Sequence, residues 1–177
     1  YSTAQPVLVP DYTEVTDERL LNPEPHNWLS YRGTLDGWGF SRLNEIDDSN
    51  VQQLEPVWSF STGVLGGHEA PPIVNNGVMF VTTPGNLVYA IDAASGDLLW
   101  RYQHDLLETY IAFHRTNRGV ALYGDKVYTA TLDARVVALD ASTGRKVWDS
   151  TVQDNNFGYY ITMAPLAIDG KILVGTS

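Results

Sequence analysis

The 177-residue sequence contains no cysteine, which excludes a disulfide framework, a thiolate metal site and a CxxCH haem attachment within these residues. Basic residues are scarce: 11 Lys and Arg stand against 21 Asp and Glu, and the formal net charge of -10 repels a polyphosphate chain rather than releasing its counterions. Nucleic acid is therefore not an expected partner. No run approaches the ~18 apolar residues of a membrane helix, so no transmembrane segment is expected. The opening stretch YSTAQPVLVPDYTEVTDE lacks the basic and apolar regions of a signal peptide, and an exported form would already have lost its signal. The four His (26, 68, 104 and 114) have no ligand-like spacing, so they read as structural or surface residues and no metal site is expected in this segment. With 44% hydrophobic and 18% charged residues, the composition is that of an ordinary folded protein.

One feature of the sequence is repeated. AIDAASGDLLW, residues 90–100, returns 48 positions later as ALDASTGRKVW, residues 138–148. The offset pairs Phe80 with Tyr128, Ala90 with Ala138, Asp92 with Asp140, Gly96 with Gly144 and Trp100 with Trp148. In each copy a β-branched and aromatic run (VMFVTT at 78–83, KVYTATL at 126–132) is followed by a turn, a second apolar run, an Asp-to-Gly turn and a short run ending in Trp. The Asp of such a turn can accept hydrogen bonds from the backbone just ahead, and the Gly adopts positive φ without strain. Four strands every 40–50 residues is the period of a β-propeller blade. The terminal Trp is expected on the outer strand, packed between neighbouring blades. A further copy begins at APLAIDGKILVGTS (164–177), and an earlier one ends at LEPVWSF (54–60), where Trp58 stands as Trp100 and Trp148 do.

Two unrelated hairpins sharing turn chemistry are the simpler alternative, but five matched positions without a gap, including both Trp, weigh against it. Closed propellers use about 4–8 blades, so two full and two partial units cannot close alone. The expectation is an N-terminal piece of a longer all-β polypeptide: an extension over 1–26, then the first blades of one propeller over 27–177. The units run over 73–100 and 121–148, and a third starts at 164. The unit ending at Trp58 would be completed by strands from the C-terminal part of the whole chain.

NWLSYRGTLDGWGFSRLNEID (27–47), LEPVWSFSTGVLGGHEAPPIVNNGVMFVTT (54–83), TNRGVALYGDKVYTATLDARVVALDASTGRKVW (116–148) and GYYITMAPLAIDGKILVGTS (158–177) resemble the N-terminal third of the pyrroloquinoline quinone (PQQ)-dependent alcohol dehydrogenases of the methanol and ethanol type. The resemblance covers about residues 25–177. It implies an eight-bladed quinoprotein propeller and a periplasmic enzyme. It also implies oxidation of an alcohol by hydride transfer to PQQ, assisted by a bound calcium or lanthanide ion. A periplasmic acceptor such as a cytochrome c and the remainder of the propeller chain would be the partners.

The resemblance also implies site residues. Glu69 of HEAPP falls where the family places an acid or amide that hydrogen-bonds the cofactor, and a carboxylate there needs a proton or a cation beside it. Arg118 of NRG carries a fork of donors suited to a quinone oxygen or a carboxylate, which makes it the electrophilic support. Thr162 and Ser177 fall on hydroxyl donors for a cofactor carboxylate. The metal ligands and the catalytic base would lie beyond residue 177. Read without the resemblance, Glu69 is a loop acid, Arg118 a turn residue, Thr162 a strand residue and Ser177 carries no role.

Where most of the family has two adjacent Cys over the cofactor, this sequence has Ala112 and Phe113, and Phe113 or Tyr110 could supply an aromatic lid instead. Two other function classes share the repeat. A non-enzymatic envelope scaffold of the outer-membrane assembly type would not need Glu69, Arg118, Thr162 and Ser177 together. A WD40 module would show a Gly-His ahead of its Trp-Asp, and VWD at 147–149 lacks it.

Overall fold

The β-branched and aromatic runs form two four-stranded antiparallel sheets in the computed structural model, which describes residues 8–9, 12–106 and 109–177. The first holds β1 (Ile73–Asn75), β2 (Val78–Thr83), β3 (Leu87–Asp92) and β4 (Leu98–Gln103), paired in chain order. The second holds β5 (Val120–Tyr123), β6 (Lys126–Ala130), β7 (Arg135–Asp140) and β8 (Lys146–Thr151), again in chain order. A third unit opens with β9 (Leu166–Ile168) against β10 (Lys171–Leu173).

The 48-residue offset has a packing cause. Phe80, Ala90 and Trp100 lie side by side across β2, β3 and β4, as Tyr128, Ala138 and Trp148 do across β6, β7 and β8. Alanine in the middle leaves room for the flanking rings to meet over it. Their centroids are 5.8 Å apart in both sheets. A register shift follows at the same place in each copy, after Ala90 and after Ala138.

The Asp-to-Gly turns are the other half of the repeat. Asp92 Oδ1 accepts from the backbone N–H of Ser95 and of Ala94, both at 2.9 Å, which holds its carboxyl below the usual range. Asp140 Oδ1 accepts from Thr143 N at 2.8 Å. Gly96 and Gly144 then take φ of 79° and 69°. Each glycine is the seat of the preceding unit's tryptophan. Trp58 donates from Nε1 to Ala93 O at 3.1 Å and covers Gly96; Trp100 donates to Ala141 O at 2.9 Å and covers Gly144. The indole is thus docked edge-on into the next unit's turn, where an N–H meets a carbonyl and a face meets a residue without Cβ. Trp148 occupies the same place in its own sheet and is 40% exposed.

Two extents differ from the sequence reading. β6 ends at Ala130 rather than Leu132, because Thr131 leaves the ladder: its N–H donates to Arg135 O at 2.9 Å and its hydroxyl accepts from Arg135 N at 3.2 Å, closing a turn. Residues 54–60 pair with no strand among the described residues, although Trp58 is docked.

Residues 12–26 lie against the turns between the first two strands of the three units. Val15 and Gly124 exchange backbone hydrogen bonds at 2.9 and 2.7 Å, and a short helix α1 (Asp17–Leu21) follows the Thr16 cap. Asp17 accepts from Tyr123 OH at 2.7 Å and from Asp169 N at 2.8 Å, tying α1 to both the second and third units. Arg19 meets Glu24 in a two-pronged pair at 2.8 and 3.0 Å and also donates to Asn75 Oδ1 at 3.0 Å. Hydrogen bonding from Arg19 and then Asn27 lowers the Glu24 carboxyl from 4.5 to about 2. A lowered folded-state value means that this stabilisation is complete above pH 4.5 and is lost as pH falls toward 2. Glu24 is two-fifths exposed, so about 1 kcal/mol is at stake. Glu24→Gln should flatten the stability profile across that window in denaturant unfolding at stepped pH, and an unchanged slope would show that the pair contributes nothing.

Candidate functional site

The loops entering the innermost strands of three successive units converge. Residues 69–72 lead into β1, residues 116–119 into β5 and residues 162–165 into β9. They meet at Gly119, where φ is 128° and a Cβ would lie 3.5 Å from Ala164 Cβ and 4.0 Å from Pro71 Cδ. A Cβ here would make ordinary van der Waals contact with the other two loops, but at φ 128° a side chain is strained.

Asn117 fixes the middle loop from inside. It is buried, donates from Nδ2 to Ala130 O at 3.0 Å and to Asn86 Oδ1 at 3.3 Å, and accepts from Gly119 N at 3.0 Å. With its neighbour anchored inward, Arg118 points out. Its backbone N–H donates to Thr162 O at 3.0 Å, its Nη1 donates to Thr162 Oγ1 at 2.7 Å and its Nη2 pairs with Glu69 Oε2 at 3.1 Å. Thr116 Oγ1 completes the cluster, donating to Glu69 Oε1 at 3.2 Å. Arg118 and Glu69 are 42% and 47% exposed, so the fork is held from one side and open on the other. Among the described residues its Nε has no protein acceptor.

The structure thus brings three expected site residues, Glu69, Arg118 and Thr162, into one hydrogen-bonded set. The cation required beside Glu69 is Arg118 itself. Ser177 is exposed, and its backbone N–H donates to Tyr160 O at 2.9 Å, which places it on the neighbouring segment rather than in the cluster. Phe113 is 82% exposed and lies edge-on to Tyr160, with centroids 6.4 Å apart, while Ala112 is half-buried beside it. Tyr110 is engaged elsewhere: the Arg115 guanidinium lies 6.0 Å from its ring centroid.

Thr116, Asn117 and Asn155 were not singled out in the sequence, although the first two stand inside TNRG. Nothing local in the sequence marks Asn117 or Asn155 for these roles. His104 is buried and pairs through Nε2 with both Asp133 oxygens at 3.1 and 3.0 Å, a structural role as expected. No group of three acidic or histidine side chains able to hold a metal occurs among the described residues. A cavity of about 630 Å³ touches Glu69 from the side of Trp28, Tyr31 and His68, but Arg118 is not on its wall. No described helix is long and apolar enough to cross a membrane. Chemically, the cluster offers a guanidinium with a free edge and two hydroxyls. Those groups suit one side of a flat, oxidised, carboxylate-bearing ligand.

Comparison with known proteins gives the family. Quinohemoprotein alcohol dehydrogenase ADH-IIG of Pseudomonas putida is 42% identical over 96% of this chain and 25% of its own length. The solved structure of that enzyme superposes with a TM-score of 0.87 over 94% of this chain and 25% of that one, at 38% identity. A europium-containing methanol dehydrogenase superposes with a TM-score of 0.84 at 36% identity, over 90% of this chain and 29% of that one. The chain therefore spans about a quarter of the length of the relatives it matches. BamB of Moraxella catarrhalis, at 21% identity and a TM-score of 0.52 over 64% of this chain and 35% of that one, shares the fold alone. The model of the PQQ glucose/ethanol/alcohol dehydrogenase β-propeller domain matches residues 28–176, and the chain belongs to that family.

Proposed function

We propose that this chain forms part of the cofactor wall of a PQQ-dependent alcohol dehydrogenase and acts only within a complete eight-bladed propeller. The observation that carries the reading is the Arg118 fork, strung between Thr162 and Glu69 at the mouth of three inner strands. The fit is favourable: the guanidinium already balances Glu69, so a carboxylated ligand meets no uncompensated acid, and the open edge of Arg118 still has donors to give. When bound, PQQ supplies an ortho-quinone that accepts hydride from the carbinol carbon of an alcohol.

The chain's own residues orient and polarise. Arg118, its position fixed by Thr162 and Asn117, would hold a donor toward a quinone oxygen and stabilise negative charge there without reorganising. Thr116 and Thr162 would present hydroxyls to the ligand's polar rim, and Ser177, paired with Tyr160 through its backbone beside the cluster, would offer a third. Glu69, being paired with Arg118, is a hydrogen-bond partner rather than the base. The hydroxyl proton goes to a carboxylate in the rest of the propeller, where the calcium or lanthanide ion is also held. A periplasmic location and electron transfer to a cytochrome c complete the proposal. A lanthanide is supported by the europium-containing relative, and a haem-linked acceptor by the quinohemoprotein one.

Phe113 stands where most of the family has adjacent cysteines, and its exposed ring forms the flat wall. Titrating the full-length apoprotein with PQQ and following the quench of its tryptophan fluorescence tests this. Phe113→Ala should weaken binding about tenfold through loss of stacking area, whereas Tyr110→Ala should leave it within about twofold because that ring lies beside Arg115. Equal affinities for Phe113→Ala and the unaltered protein would remove the wall.

A further inference from the structure

The loop carrying Ala112 and Phe113 has no covalent tether in this chain, since the sequence holds no cysteine. It is held instead by one side chain from the far end of the second unit. Asn155 Oδ1 accepts from Ile111 N at 2.8 Å, and its Nδ2 donates back to Ile111 O at 2.8 Å. This reciprocal pair is what a neighbouring β-strand residue would offer, supplied here by a carboxamide. The same Nδ2 reaches Tyr159 O at 2.7 Å and Leu132 O at 3.2 Å. A single amide group thereby joins the 109–113 loop, the turn after β6 and the segment leading through Tyr160 to Thr162.

Asn155 is itself fixed. It opens a short 3-10 turn (Asn155–Phe157), capped by the Asp154 carboxylate accepting from Asn156 N at 2.9 Å and ended by Gly158 at φ 85°. The requirement at this position is chemical rather than steric. Three carbonyls point at Nδ2, so an isosteric carboxylate would face them with no donor and with added charge.

We propose that Asn155 is a positioning residue for the cofactor site: it sets the 109–113 loop so that the exposed Phe113 ring lies edge-on to Tyr160, two residues before Thr162 of the Arg118 cluster. The role rests on the PQQ reading above. Asn155 touches neither the Arg118 cluster nor the reacting groups; it acts through Ile111 and Phe113.

The test is a double-substitution cycle in the full-length apoprotein, read by PQQ affinity from tryptophan quenching and by apoprotein melting temperature. Asn155→Ala, which loses four hydrogen bonds, and Asn155→Asp, which loses the three donated by Nδ2, should each weaken PQQ about tenfold. In the Phe113→Ala background the same changes should have less than about a twofold further effect, because the group they position is gone. A tenfold loss that persists without Phe113 overturns the positioning role and leaves a merely structural one, as does full affinity in Asn155→Asp. Arg118→Ala separates this from the broader reading: if it weakens PQQ while Asn155 variants do not, only the Asn155 role fails. If the unaltered full-length protein does not bind PQQ, the functional reading fails and takes this role with it.

Discussion

Replacing Gly144 with alanine should destabilise the folded protein by about 2–4 kcal/mol. Two costs add. The residue sits at φ 69°, where an L side chain strains the backbone by about 1 kcal/mol. The new Cβ would also lie 2.5 Å from Trp100 Cε3 and 2.6 Å from Cδ2, inside the docked indole. Trp100 is 2% exposed and hydrogen-bonded to Ala141 O, so it cannot step aside without losing that bond and opening the joint between units, and overpacking of this kind costs about 1–3 kcal/mol. Gly158 provides the control. Its φ of 85° imposes the same strain, but no atom lies within 4 Å of its Cβ position, so Gly158→Ala should cost only about 1 kcal/mol. Denaturant midpoints of the two full-length variants check the difference. Equal losses would show that the indole is free to move and that the joint is not what the repeat preserves.

Arg118→Ala should raise the dissociation constant for PQQ about a hundredfold and lower alcohol-dependent dye reduction, measured at saturating PQQ, by about 10²–10³. The melting temperature of the apoprotein should move little, because the side chain is 42% exposed and its lost partners, Glu69 and Thr162, can turn to water. Arg118→Lys should recover only a small part of the loss. An ammonium can hold one of the two partners, but it lacks the planar fork that joins Glu69 to Thr162 while keeping an edge open. Turnover within about threefold of the unaltered enzyme would remove Arg118 from the reaction and return it to an ion pair.

The fold was legible because its repeat is written in residue types with narrow uses. Trp100 and Trp148, Asp92 and Asp140, and Gly96 and Gly144 each recur at one offset. The structure shows why they travel together: the Trp of one unit needs the glycine of the next, and the Asp holds the turn that presents it. A sequence displays the members of this contact but not their pairing, since Trp100 and Gly144 are far apart along the chain. The site was legible to a lesser degree. Glu69, Arg118 and Thr162 stand in short runs marked by resemblance, and the fold gathers them because each run enters an inner strand. Asn117 and Asn155 could not be read in this way. Their work is to satisfy backbone groups on distant segments, Ala130 O for one and Ile111 for the other, and no local pattern marks an asparagine for that task. β6 was overextended for a related reason, because Thr131 fits a strand as well as the turn it closes.

That this chain is part of a longer PQQ enzyme is tested most directly by one denaturing mass spectrum of the protein purified from its source. The account predicts a polypeptide about four times heavier than 19.6 kDa, released together with PQQ. A polypeptide of 19.6 kDa with no quinone released would contradict it.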